Sequence, residues 1–164
     1  PLVVPPTFLY HLFLAPGETG LGLGSALLDL AKAQRPGGLC LWVFQSNQGA
    51  RRFYRRHGLV ELESTDGSGN EERSPDVRMA WPGEQPLAFF RRCIDDVDDQ
   101  LGELLARRAA LTRAIQPHKS DRSRDPERER AVAAHLARHA PALGEERLAR
   151  IVHAIITESL DAAE

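Results

Sequence analysis

The sequence predicts an α+β chain in two segments, a glycine-punctuated α/β segment followed by an all-α segment of three helices. Three observations carry that expectation. Of the 13 glycines, only Gly102 and Gly144 lie beyond residue 85. No aromatic residue follows Phe90, and from there the chain is rich in Ala, Arg, Leu and Glu. Beyond Leu87 the apolar residues recur at steps of three and four, the period of one helix face, whereas before it short apolar runs alternate with glycine turns. The stretch "WPGEQP", Trp81 to Pro86, reads as the linker, so the segments span residues 1–82 and 87–164.

With 164 residues, 42% of them apolar, and a formal net charge of -2, the chain has the length of one large domain or two small ones. That charge argues against a nucleic-acid partner held by bulk attraction. Cys40 and Cys93 stand in unrelated contexts, with no CxxC or Cys/His cluster, so neither a metal site nor a disulfide framework is expected. A reducing, cytoplasmic compartment is the expectation. The opening "PLVVPPTFLYHLFLAPGETG" is apolar but broken by Pro1, Pro5, Pro6 and Pro16 and has no basic leader, so it reads as neither a signal peptide nor a membrane span. Without an initiator Met, the chain reads as part of something longer.

Within the first segment, "FLYHLFL" reads as a strand and "GETGLGLGSALLDLAKAQ" as a glycine loop opening into a helix. "LCLWVF" comes next as a second strand, "NQGARRFYRRHG" as a short helix, and "DVRMAW" as a closing strand. A strand feeding a glycine loop and a helix N-terminus suits anions, because free backbone N–H groups and the helix dipole face the ligand. The combination of "GLGLGSALL" with the run from Asn47 to Leu59, "NQGARRFYRRHGL", resembles the second half of the GNAT acyl-CoA N-acetyltransferases over roughly residues 8–81. That resemblance implies acetyl-CoA as cofactor, its pyrophosphate on Gly20, Gly22 and Gly24, Asn47 beside the cofactor arm, and Tyr54 as general acid to the departing thiolate. Thr19 stands where the family usually has Gln or Arg.

In the second segment Leu87, Phe90, Ile94, Val97, Leu101, Leu104, Leu111 and Ile115 form a heptad-like seam on one long helix, with Arg108 in the slot between Leu104 and Leu111. A lone Arg on such a stripe commonly snorkels at its edge. Pro117 should end this helix, and Pro126, Pro141 and Gly144 divide the rest of the chain into two more. Asp125 is a preferred N-cap, Pro126 suits the first helical position, and Glu127 favours the positive end of the dipole. Glu129 shares a face with Val132, Ala133 and Leu136, so its carboxylate points to the buried side. Arg128 flanks that side and Arg130 faces water. On the last helix Leu148, Ile151, Val152, Ile155 and Ile156 share a face that Ser159 continues. Each helix thus sets one polar residue into an apolar stripe. Buried polar groups need partners or a ligand, and the pattern predicts an arginine-rich pocket suited to a carboxylate-bearing small molecule. His118, His135, His139 and His153 read as surface or packing residues.

The run from Arg91, "RRCIDDVDDQLGELLARRAAL", then Lys119, "DPERE" from Asp125 and "IITES" ending at Ser159, resembles the all-helical chorismate mutases across residues 87–164. The family forms an intertwined homodimer of three-helix protomers, and a first helix of roughly 30 residues, about 45 Å long, is too long to bury its seam in so small a protomer. The resemblance implies conversion of chorismate to prephenate, a step of aromatic amino acid biosynthesis, with no cofactor. Arg108 and Arg128 would grip the substrate carboxylates, with Arg91 reaching in from the partner subunit. Lys119 would donate to the ether oxygen, Glu129 would accept from the ring hydroxyl, and Asp125 and Ser159 would line the pocket. Ala163 stands where the family usually has Gln or Glu, and losing one such donor can cost on the order of 10²-fold in rate. Aminodeoxychorismate mutase or isochorismate lyase activity on the same fold stays open. So do acyl transfer by the first segment and a non-catalytic dimerisation or ligand-sensing module.

Overall fold

The computed structural model describes residues 8–10, 12–15, 17–18, 20–118 and 124–162. Lys119, Thr19 and Ala163 therefore lie outside the described residues. The chain divides into two compact units, Pro1–Asp95 and Asp96–Glu164.

The first unit contains α1 (Leu23–Gln34), β1 (Leu39–Phe44), α2 (Gln48–Arg56), β2 (Val60–Thr65), β3 (Asp76–Trp81) and the start of α3 (Pro86–Ile115). The three strands pair antiparallel in the order β1-β3-β2, with Leu39 opposite Trp81 and Val60 opposite Ala80. Side chains alternate between the faces of a strand. Leu39, Leu41 and Val43 of β1 and Val77 and Met79 of β3 accordingly share one face, where Leu28 and Ala31 of α1, Tyr54 of α2 and Leu59 close a core. On the other face Cys40 and Ala80 are buried beneath Phe89 of α3, with Phe8, Phe90 and Cys93 packed around them.

Three details depart from the sequence reading. β2 is a strand that no periodicity had marked. All six of its residues are exposed, and a bulge between Glu61 and Glu63 moves the side chains from one face to the other. Glu61 pairs with Arg51 and Arg55 of α2, whereas Glu63 pairs with Arg78 of β3. Secondly, "FLYHLFL" makes a single parallel bridge, Phe8 to Cys40, and no continuous strand among its described residues. Leu9 and Leu12 both pack on the core cluster. Residues three apart on a strand point to opposite faces, so burying both requires an irregular path. Thirdly, Cys40 and Cys93 are not in unrelated contexts. The fold packs both, outside any disulfide, into the cluster under Phe89.

The second unit holds the rest of α3, a 3-10 turn at Gln116–His118, α4 (Pro126–His139) and α5 (Glu145–Asp161). α3 is 30 residues long and gives way to the turn around Pro117, as the missing N–H of proline dictates. The Asp125 carboxylate accepts from the Arg128 N–H at 2.9 Å and caps α4, with Pro126 at its start. α4 lies against α5, and the buried residues here are Ala133, Leu148, Val152 and Ser159. Most of the α3 seam is open: Leu104 is 60% exposed and Leu111 63%, and Val97, Leu101 and Ile115 are also exposed.

Candidate functional site

In the second unit two polar residues of the apolar stripes meet. Arg108 of α3 is half-buried and donates to the Ser159 hydroxyl at 2.6 Å and to the Ile155 carbonyl at 3.3 Å. Ser159, 6% exposed, donates its own hydroxyl hydrogen bond to the same carbonyl. The guanidinium therefore lies across the α5 backbone instead of snorkelling to water, and keeps further N–H donors for a ligand.

On α4 the inner face runs Glu129, Val132, Ala133 and Leu136, while Arg128 and Arg130 are exposed. Glu129 is 19% exposed, and Arg124 meets both of its carboxylate oxygens, Nε to Oε1 at 2.7 Å and an Nη to Oε2 at 3.0 Å. Arg124 also donates to the Thr157 hydroxyl at 2.8 Å and lies 3.1 Å from His153 Nδ1. His153 in turn sits 3.7 Å from Glu129 Oε2. The Arg124 fork holds the Glu129 carboxyl below the usual carboxylate range, against the opposing effect of burial. Arg124, Thr157 and His153 had carried no functional expectation, and His153 is exposed, as a surface residue is. The sequence held no spacing signal for Arg124, which precedes its helix and stands five positions from Glu129. Arg91 is exposed and belongs to the first unit. Arg108 with the buried Ser159 hydroxyl and Arg124 with the half-buried Glu129 carboxylate form two polar clusters, and groups of this kind can bind and orient a polar anion without a nucleophile.

The first unit presents a separate arrangement. Gly20 and Gly22 have φ of 87° and 83°, and a Cβ at either would meet nothing within 4 Å. Gly22 is the N-cap of α1, the first intrahelical bond runs from the Ala26 N–H to its carbonyl, and the first turn carries no acidic residue. The N–H groups of Leu23, Gly24 and Ser25 precede that bond, so this terminus fits an anion such as a pyrophosphate. Gly24 plays a packing part, because a Cβ there would lie 3.4 Å from the Phe53 ring. Asn47 caps α2 by accepting from the Ala50 N–H at 3.0 Å. Tyr54 is buried in the core, which raises the pKa of its phenol and keeps it a proton donor. His57 links the two helices, its Nδ1 2.9 Å from the Phe53 carbonyl and its Nε2 2.9 Å from the Ser25 hydroxyl. Among the described residues no cluster of metal-ligating side chains occurs, and no helix is long and apolar enough to cross a membrane.

Residues 90–164 match the family model of chorismate mutase type II, and residues 3–59 match that of the acetyltransferase (GNAT) family. The peptidyl-lysine N-acetyltransferase YiaC of Escherichia coli (strain K12) is 35% identical over 82 residues, which cover 49% of this chain and 53% of that relative. Among solved structures, nourseothricin acetyltransferase matches with 28% identity and a TM-score of 0.41, over 46% of this chain and 48% of its own. Apo-form YjaB from Escherichia coli matches with 24% identity and a TM-score of 0.43, over 49% and 54%. The chain thus spans about half the length of the relatives it matches, and it carries a GNAT acetyltransferase segment followed by a chorismate mutase type II domain.

Proposed function

We propose, from the chorismate mutase type II domain over residues 90–164, that the helical segment, residues 87–164, rearranges chorismate to prephenate as a homodimer. The observation that carries this reading is the Arg108 to Ser159 hydrogen bond, in which polar residues from the apolar faces of α3 and α5 meet at a buried position. The reaction is intramolecular: a carbon–oxygen bond breaks as a carbon–carbon bond forms. It calls for no acid, base or nucleophile, only a compact conformer and positive charge where the ether oxygen becomes negative. Arg108 and Arg128 hold the two carboxylates, together with Arg91 of the partner subunit. Lys119 donates to the ether oxygen, Glu129 accepts from the ring hydroxyl, and Asp125 and Ser159 line the pocket.

The open α3 seam supports the dimer, since a second copy would cover Val97, Leu101, Leu104 and Leu111. The test is loss of chorismate absorbance on adding purified protein, with the product identified by chromatography. Prephenate is expected, and Arg108→Ala should lose on the order of 10²-fold in rate with its helicity intact. Another product would assign a sister activity. Unchanged chorismate would overturn the reading.

A separate observation favours a second reading for the segment 1–82. The open, positive-φ glycines at the α1 N-terminus suit the pyrophosphate of acetyl-CoA, with Asn47 beside it and the Tyr54 phenol as donor. When bound, that group supplies an activated acetyl. Thermal stabilisation of the protein by CoA, lost in Gly22→Asp, would support this reading, and no stabilisation would remove it. Cys40 and Cys93, neither of them in a disulfide, suit a cytoplasmic setting.

A further inference from the structure

Arg124 stands outside the set of residues proposed above to touch substrate, yet it is the group that engages both oxygens of Glu129. We propose that Arg124 is the positioning residue of Glu129, fixing its carboxylate as an oriented ion that presents its remaining lone pairs to a ring hydroxyl. The assignment rests on the chorismate reading above and deepens it.

The geometry is that of a planar fork. Nε and one Nη of Arg124 meet Oε1 and Oε2 at 2.7 and 3.0 Å, an arrangement a lysine ammonium cannot reproduce. The other Nη reaches the Thr157 hydroxyl at 2.8 Å, and that hydroxyl donates onward to the His153 carbonyl at 2.9 Å. The guanidinium is therefore anchored to α5 while it grips a carboxylate on α4, and the direction of Glu129 is set from two elements. Two fork bonds use about half of the roughly four lone-pair positions of a carboxylate, so acceptor capacity remains for a ligand.

The charges also close. A bare glutamate beside a dicarboxylate ligand would repel it, whereas the pair with Arg124 is neutral. Among the described residues, the other titratable groups acting on this pair come from α5: His153, 3.7 Å from Glu129, and Asp161, which acts on Arg124. Arg124 thus does two things that need no contact with substrate. It holds the acceptor ionised to lower pH, and it cancels a charge the ligand would otherwise meet.

The test compares Arg124→Ala and Arg124→Lys with the wild-type full chain, folding being checked by circular dichroism. Carboxyl carbon NMR reads the Glu129 titration directly, and kcat and KM for chorismate are measured against pH. In Arg124→Ala the Glu129 titration should move up and the acidic limb of kcat/KM should follow it. At neutral pH KM should rise about tenfold, the worth of one charge-assisted hydrogen bond, with a smaller change in kcat. Arg124→Lys should restore the titration in part and KM less, because it returns the charge without the fork. It also decides the matter if the alanine variant fails to fold. An unmoved Glu129 titration overturns the assignment, and so does a titration that moves while the acidic limb and KM stay in place, the signature of a purely structural pair. A wild-type protein inert towards chorismate overturns the functional reading and the substrate side of this assignment together, even where the titration shifts.

Discussion

The two units solve the problem of burying apolar side chains in opposite ways. Among the described residues, twelve of the fifteen buried apolar side chains lie in the first unit and only Ala133, Leu148 and Val152 in the second. A three-stranded sheet with helices against it covers its own residues: Leu28, Leu39, Met79 and Ala80 are fully out of water. The helical unit has a comparable supply of Leu, Ile and Val but leaves the α3 seam exposed, because α4 and α5 pack on each other and leave that stripe uncovered. The first unit is closed by its own chain, and the second has a face that only another surface can close. At about 25 cal/mol per Å², an uncovered stripe of this kind is a strong drive to associate.

The contrast can be broken most strongly at the seam. Leu104→Glu should cost about 3–6 kcal/mol across two copies, a hundredfold or more in the dimer dissociation constant. Sedimentation velocity reads it, and an unchanged oligomeric state would show that the seam is not the interface. Met79→Ala, at the centre of the closed core, should destabilise the first unit by about 2–5 kcal/mol through the cavity it leaves, with no change in oligomeric state. Thermal denaturation and sedimentation together test that split. The smallest effect is electrostatic. Hydrogen bonds from Arg51 and Arg55 lower the pKa of the Glu61 carboxyl from 4.5 to about 2. A depressed folded-state value stabilises above the unfolded pKa and is lost as pH falls, so this contribution should fade between pH 4.5 and 2. Glu61→Gln should flatten the acid side of the stability curve there. An identical slope in both proteins would remove the ion pair from the account.

The helical half was readable because its signals are local. Asp125 and Pro126 begin α4, Pro117 ends α3, and the face of α4 carrying Glu129, Val132, Ala133 and Leu136 follows from a period of 3.6. The strands β1 and β3 were equally plain, being short apolar runs between turn residues. The features that escaped depend on chain crossing chain. β2 is exposed throughout and bulged, so it has no periodicity to find. The shared burial of Cys40 and Cys93 needs β1 and α3 to meet across 53 positions of sequence. Within the site, Arg108 and Ser159 were recognisable as polar breaks in apolar stripes. Arg124 was not, because it precedes its helix and reaches Glu129 by a turn that no spacing rule encodes. His153 is exposed, as read, but only the packing of α5 on α4 brings it within 3.7 Å of Glu129.

We propose that the open face of the helical unit is closed by a second copy, which completes the site with its own Arg91. Mixing Arg91→Ala protein with Arg108→Ala protein tests it directly. Each heterodimer would hold one site with both arginines intact, so random exchange should return about a quarter of wild-type chorismate turnover from two nearly inactive proteins. No recovery after subunit exchange has been verified would contradict the shared site.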